Sequence, residues 1–176
     1  INAHAMPGAH AALQAVQDAG LRCALFTNPS FPQGAIECRM GWGDLADAPF
    51  ELVTHMGNTT RCKPDATYYL EQLQVMGLEP HEVLMVGNDP KRDFPSPDCG
   101  IQTAFVGQGK PSRATWRGTM EDFARDFNKD PHNEYVTEKA AICKLFSIDT
   151  VKLVSDEMLE IFGGDGYFED CPYGPT

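Results

Sequence analysis

No stretch of the 176-residue sequence is apolar for long enough to cross a bilayer as a helix, and its first residues, INAHAMPGAH, have neither the basic nor the apolar segment of a signal peptide. The expectation is a soluble, cytoplasmic chain without membrane partners. An initiator Met is missing too, which fits a start inside a longer product or a processed end. Basic residues are scarce, 14 Lys and Arg against 25 Asp and Glu, for a net charge of -11 and a pI near 4.7. Long-range attraction to nucleic acid or to an anionic membrane is disfavoured, leaving small ligands or other proteins as the expected partners. The cysteines at 23, 38, 62, 99, 143 and 171 form no CxxC pair and no finger-like Cys/His spacing, so neither a zinc site nor a disulfide frame is signalled. Reduced thiols follow. There is no internal repeat and no low-complexity tract.

Apolar residues make up 42% of the chain, enough to fill the core of one ordinary domain or slightly more. Pro7 suits a first helical turn, Ala12, Leu13 and Val16 share a face, and Gly20 stands as a stop, which predicts a helix. The run LRCALF at 21–26 ends in Thr27-Asn28-Pro29, the pattern of a buried strand entering a loop. A second strand is expected over Glu51 to Thr54. Helical spacing returns over Asp65 to Met76, where Ala66, Tyr69, Leu70, Leu73 and Met76 mark one face and Gly77 a stop. EVLMV at 82–86 and IQTAFV at 101–106 read as further buried strands. Strands alternating with helices predict an α/β fold with a parallel sheet covered on both faces.

Beyond Val106 the segment GQGKPSRATWRG reads as a turn-rich connector, followed by a short helix around Glu121 to Phe127. Asn128 to Asn133 reads as a boundary. Past it, Ala141, Leu145, Ile148, Val151, Val154, Met158 and Ile161 recur every three or four residues, which predicts one long helix capped by Thr137 and ended by Gly163 and Gly164. The expected division is therefore a sheet domain over 1–127 and a helical tail over 128–176.

In an open α/β sheet, ligands bind beyond the C-terminal ends of the strands. Three polar elements fall there. Thr27 and Asn28 offer a hydroxyl and N–H donors to an anion. Lys63, in Arg61-Cys-Lys-Pro64, precedes a helix and can bring an ammonium to the same place. Asp89 and Asp93, in MVGNDPKRD, supply the hard oxygen ligands that Mg²⁺ prefers. Phosphoryl transfer needs this combination of donors, a cation and a metal. Each element also has an ordinary structural reading: a turn at Thr27, a solvated lysine at 63, a turn and a cap at Asp89 and Asp93.

LRCALFTN, RCKPDATYYLEQL and EVLMVGNDPKRDF resemble the second, third and fourth motifs of the haloacid dehalogenase (HAD) superfamily, mostly Mg²⁺-dependent phosphohydrolases, over about residues 7–107. The resemblance implies a Rossmann-like sheet and a small phosphorylated substrate. It assigns the transferring phosphoryl group to Thr27, stabilisation of the nucleophile and intermediate to Lys63, and the Mg²⁺ site to Asp89 with Asp93. Asn88 stands where many members carry an acid, and Pro95 and Pro97 interrupt the helix that normally follows. The family's first motif, an apolar strand ending in Asp-x-Asp-x-Thr, supplies the nucleophile and lies centrally between the strands of the second and fourth motifs. Nothing upstream of Pro7 matches it, and the nearest imitation, Ser147-Ile-Asp-Thr150, has Ser at the nucleophile position. Two strand edges would then lack a partner. The expectation is a missing N-terminal piece, another chain, or an unusual substitute strand.

Residues 134–173, with EKAAICKLF and VSDEMLEIFGGDGY, resemble instead the C-terminal helical domain of acyl-CoA dehydrogenases, whose IFGG-x-GY turn approaches FAD. On that resemblance Gly163, Gly164 and Gly166 would let backbone approach the cofactor pyrophosphate. Three functions follow as expectations. The first is a HAD-like phosphatase whose nucleophile this chain lacks, so that the chain alone is inactive. The others are an FAD-binding fragment and a non-catalytic fusion that binds a partner chain.

Overall fold

The structure, a computed structural model, describes residues 5–111, 113–129 and 140–143. Among them four α-helices and six strands follow in the order α1 (Ala9–Asp18), β1 (Arg22–Leu25), α2 (Gln33–Trp42), β2 (Phe50–Val53), α3 (Ala66–Met76), β3 (Val83–Gly87), β4 (Gln102–Val106), β5 (Trp116–Gly118), α4 (Met120–Lys129) and β6 (Ala140–Cys143). All strand pairs are parallel, and the order across the sheet is β2-β1-β6-β3-β4-β5. Every described element belongs to one compact unit, residues 4–145. No helix among the described residues is long and apolar enough to cross a membrane.

The inner strands are continuous apolar runs because both faces of a parallel sheet are covered. Every residue of β3 is buried, and β1 is buried over Cys23, Ala24 and Leu25. One core cluster joins Phe26, Tyr68, Tyr69, Leu73, Met85, Phe94 and Phe105. Full burial of each such side chain contributes about 1.5–3 kcal/mol of transfer free energy, before the entropy of ordering is subtracted. Helix α3 starts where Asp65 accepts the Thr67 N–H at 2.8 Å, and ends at Gly77, whose φ of 66° lies in the left-handed region that favours glycine.

Two departures from the sequence reading concern this sheet. Ala140–Cys143 is a strand, not part of a long helix. It fills the slot between β1 and β3, pairing Ala140 with both Arg22 and Val83. A slot there leaves two rows of backbone N–H and C=O groups to be satisfied, and that demand outweighs the 3.6-residue spacing of the segment. The substitute strand is thus the observed solution, and no central position stands open. The second departure lies in the connector after Val106, where Trp116–Gly118 forms the edge strand β5. Helix α2 is an addition. Its pattern is weak because Gly34 and Gly41 interrupt it and only Ile36 and Met40 are buried.

Candidate active site

Thr27 lies two residues past β1, Thr54 one past β2, and Asp89 two past β3, so three loops meet at the C-terminal edge of the sheet. Lys63, ahead of α3, crosses between them. Its Nζ donates to the Phe26 carbonyl at 3.1 Å and to Asp93 Oδ1 at 2.8 Å. Both side chains of this ion pair are enclosed, 2% and 0% exposed. Lys63 is therefore no solvated lysine. Truncating either member of such a pair leaves a buried charge, at a cost of about 3–5 kcal/mol.

The two aspartates of the third loop differ in role. Asp93 gives its second oxygen, Oδ2, to the Asp89 N–H at 3.0 Å, while the Asp93 carbonyl accepts the Tyr69 hydroxyl at 2.5 Å. The loop closes on itself through the Asp93 N–H, which donates to the Asp89 carbonyl at 2.7 Å. Gly87 has to be a glycine here: a Cβ on it would stand 2.6 Å from the Asp93 Cβ. Asp89 faces outward, its side chain 37% exposed. Its Oδ1 accepts the Lys91 N–H at 2.9 Å and the Arg92 N–H at 3.3 Å, and its Oδ2 lies 3.6 Å from Arg92 Nε. The turn reading and the ligand reading of Asp89 are thus compatible, because Oδ2 carries only a long contact to an exposed guanidinium.

Beside this charged pair lies a neutral network. Thr27, 8% exposed, donates its hydroxyl to the Thr54 carbonyl at 2.7 Å and its N–H to Thr54 Oγ1, also at 2.7 Å. Tyr68 Oη donates to the Thr27 carbonyl at 2.6 Å and lies 2.9 Å from Thr54 Oγ1. Burial pushes the Tyr68 and Tyr69 hydroxyls well above the usual phenol range, so both keep their protons. Phe26 and Tyr69 both pack edge-on against Tyr68, fixing the ring. Asn28 is exposed at the rim.

The fit to Mg²⁺ follows from these contacts. Among the described residues no group of three or more His, Cys, Asp or Glu side chains could hold a metal. Mg²⁺ keeps several waters and takes one or two carboxylates together with substrate phosphate oxygens. Asp89 fits that demand as an outward carboxylate. Asp93 is enclosed, with both oxygens already engaged, and acts on the loop that carries Asp89.

The structure thus gathers Thr27, Asn28, Lys63, Asp89 and Asp93 at one sheet edge. Thr54, Tyr68 and Tyr69 were not singled out as site residues from the sequence; the signals present were a polar residue just past β2 and two aromatics in the first turn of α3, shortly after Lys63. Gly163, Gly164 and Gly166, the imitation motif at 147–150 and the acyl-CoA dehydrogenase-like segment at 134–173 lie outside the described residues, save for β6.

Comparison with known proteins bears on the same edge. The profile of the haloacid dehalogenase-like hydrolases matches residues 1–97, and nothing in the comparisons supports the acyl-CoA dehydrogenase resemblance. No curated protein matches the chain. Among solved structures, similar folds occur in a putative beta-phosphoglucomutase from Thermotoga maritima, with a TM-score of 0.59 and 21% identity over 70% of this chain and 60% of that one. A HAD phosphatase from Thermococcus onnurineus has a TM-score of 0.59 and 21% identity over 74% of this chain and 59% of its own. A HAD-superfamily hydrolase of subfamily IA from Geobacter sulfurreducens has a TM-score of 0.54 and 18% identity, over 68% and 59%. The chain spans about three-fifths of the length of these structures. With a family profile covering more than half of its residues and the strand-end loops of that profile converging on Lys63, the chain belongs to the haloacid dehalogenase-like hydrolases.

Proposed function

We propose that the described unit is the phosphate- and cation-binding part of a hydrolase acting on a small phosphate ester, with the attacking carboxylate supplied from outside the described residues or by another chain. The observation that carries this reading is the position of Lys63, whose ammonium joins the Thr27 loop to the Asp93 loop in an enclosed site. Low local dielectric strengthens the pull of that ammonium on an incoming phosphoryl oxygen. The Asn28 backbone supplies an N–H donor, the Thr27 hydroxyl would have to turn from the Thr54 carbonyl to add a second, and Asp93 holds Lys63 and the Asp89 turn at fixed spacing. Asp89 would hold Mg²⁺, which when bound neutralises charge on the phosphoryl oxygens. In the aspartyl-phosphate route that the family resemblance implies, a carboxylate attacks phosphorus and the alcohol leaves with a proton; water then releases phosphate. The strand between β1 and β3 is Ala-Ala-Ile-Cys, without a carboxylate, which favours an outside source for that group.

The full chain is expected to bind inorganic phosphate saturably and to leave a small phosphate monoester intact in the presence of Mg²⁺, as read by ³¹P NMR. Steady Mg²⁺-dependent hydrolysis that disappears in Asp89→Ala would show that the chain carries its own nucleophile. Failure to bind phosphate at all would sink the reading.

A further inference from the structure

Thr27 is held by a closed ring of hydrogen bonds whose direction can be assigned by counting protons. Tyr68 has one hydroxyl proton, and the 2.6 Å contact gives it to the Thr27 carbonyl. The 2.9 Å contact between Tyr68 Oη and Thr54 Oγ1 then requires Thr54 as the donor. Thr54 Oγ1 in turn accepts from the Thr27 N–H at 2.7 Å. The other acceptors near Thr54 Oγ1, at 3.3–3.4 Å, are more distant and lose this competition. The ring runs from the Thr27 N–H through the Thr54 and Tyr68 hydroxyls back to the Thr27 carbonyl. Each hydroxyl both accepts and donates, which strengthens its neighbours. Thr54 and Tyr68 are both wholly buried, so water does not compete.

The two backbone groups in the ring belong to different peptide units, one before Thr27 and one after it. The Thr27–Asn28 peptide is trans, since the only cis bond among the described residues is Lys63–Pro64. In a planar trans peptide the carbonyl and the N–H point in opposite directions. With the Thr27 carbonyl turned inward to Tyr68, the Asn28 N–H is turned the other way, at a residue exposed on the rim. We infer that Thr54 and Tyr68 are positioning residues that aim the Asn28 N–H outward as a fixed donor for the phosphate of the substrate. This role rests on the phosphate-binding reading above.

The Thr54→Val and Thr54→Ser variants of the full chain separate the hydrogen bonds from the packing. Val keeps the shape and removes both ring contacts, whereas Ser keeps the hydroxyl. Losing one net hydrogen bond's worth of preorganisation, about 1.4 kcal/mol, corresponds to about tenfold weaker binding. Inorganic phosphate, titrated by ³¹P NMR, is expected to bind Thr54→Val about tenfold more weakly than the parent, and Thr54→Ser within about twofold of it. In ¹⁵N spectra the Thr27 amide should exchange faster in the Val variant, and its Asn28 amide should lose the shift that phosphate induces in the parent. Should Thr54→Val not fold, Tyr68→Phe breaks the ring at one hydroxyl and is read the same way. Parent-like phosphate affinity in a folded variant whose Thr27 amide has lost protection would overturn the positioning role alone. Equal weakening in Val and Ser would overturn it too, since packing would then be the cause. A parent chain that binds no phosphate would overturn the phosphate reading and this role with it, while the Thr27 amide still reports whether the ring exists.

Discussion

At Thr27 the loop after β1 is held by hydroxyl groups, Thr54 Oγ1 and Tyr68 Oη, whereas at Asp93 the loop after β3 is held by a buried ion pair with Lys63, helped by the Tyr69 hydroxyl. Both anchors are buried, and each draws one side chain from at or near α3, Tyr68 in the first and Lys63 in the second. Their tolerance to change differs for a physical reason. A hydroxyl replaced by an isosteric methyl forfeits a modest net hydrogen bond, although a carbonyl left unsatisfied adds to the loss. An enclosed charge stripped of its partner must be neutralised or dragged to water, which costs several times more. The neutral side can therefore be tuned in small steps, and the charged side behaves as a switch between intact and broken.

That contrast is broken most severely at Asp93. Asp93→Ala leaves the Lys63 ammonium enclosed without its carboxylate and is expected to cost about 3–5 kcal/mol in urea unfolding. The double variant Lys63→Met with Asp93→Leu should lose less than the sum of its single variants, because no lone charge remains. Strictly additive losses would contradict the account. Gly87→Ala comes next, at about 1–3 kcal/mol, since its Cβ must displace Asp93. Tyr69→Phe, which removes the hydroxyl donor to the Asp93 carbonyl, should cost about 1–3 kcal/mol with the loop after β1 unaffected.

The smallest effect belongs to the rim. Arg22 makes paired hydrogen bonds to Glu51, across β1 and β2, and a third to the Met76 carbonyl at 2.8 Å. The hydrogen bond from Arg22 holds the Glu51 carboxyl below its usual range. A depressed carboxyl stabilises the folded state above its unfolded pKa, and that contribution is lost as pH falls through the folded value. Solvent screening keeps it small, so Glu51→Gln should cost about 0.2–1 kcal/mol at neutral pH and nothing at a pH where Glu51 is protonated in both states. A pH-independent difference would contradict the assignment.

The alternation of apolar runs and helical spacings was enough to predict α1, α3, α4 and β1 to β4, because inner strands of a parallel sheet declare themselves by continuous apolar residues. The face of α3 was not legible in full. Leu70, expected inward, is 44% exposed, while Tyr68 and Gln72 are buried. Hydropathy counts a tyrosine as a half-polar residue, yet Tyr68 turns inward because two loops offer its hydroxyl partners there. β6 was hidden for a related reason: its Ala141 opens a helix-like spacing that continues along the sequence beyond the strand, and only the unpaired edges of β1 and β3 ask for a strand. At the site, residue types and order located Thr27, Lys63, Asp89 and Asp93. The division of labour between the two aspartates needed geometry, since spacing alone cannot tell an enclosed carboxylate from an outward one.

Binding of inorganic phosphate to the full chain by titration calorimetry, with and without Mg²⁺ and in the parent and Asp89→Asn, tests the central claim most directly. The account predicts saturable binding that Mg²⁺ tightens in the parent and leaves unchanged in Asp89→Asn, whose amide oxygen can still cap the turn. No saturable binding, or equal tightening by Mg²⁺ in both proteins, would contradict it.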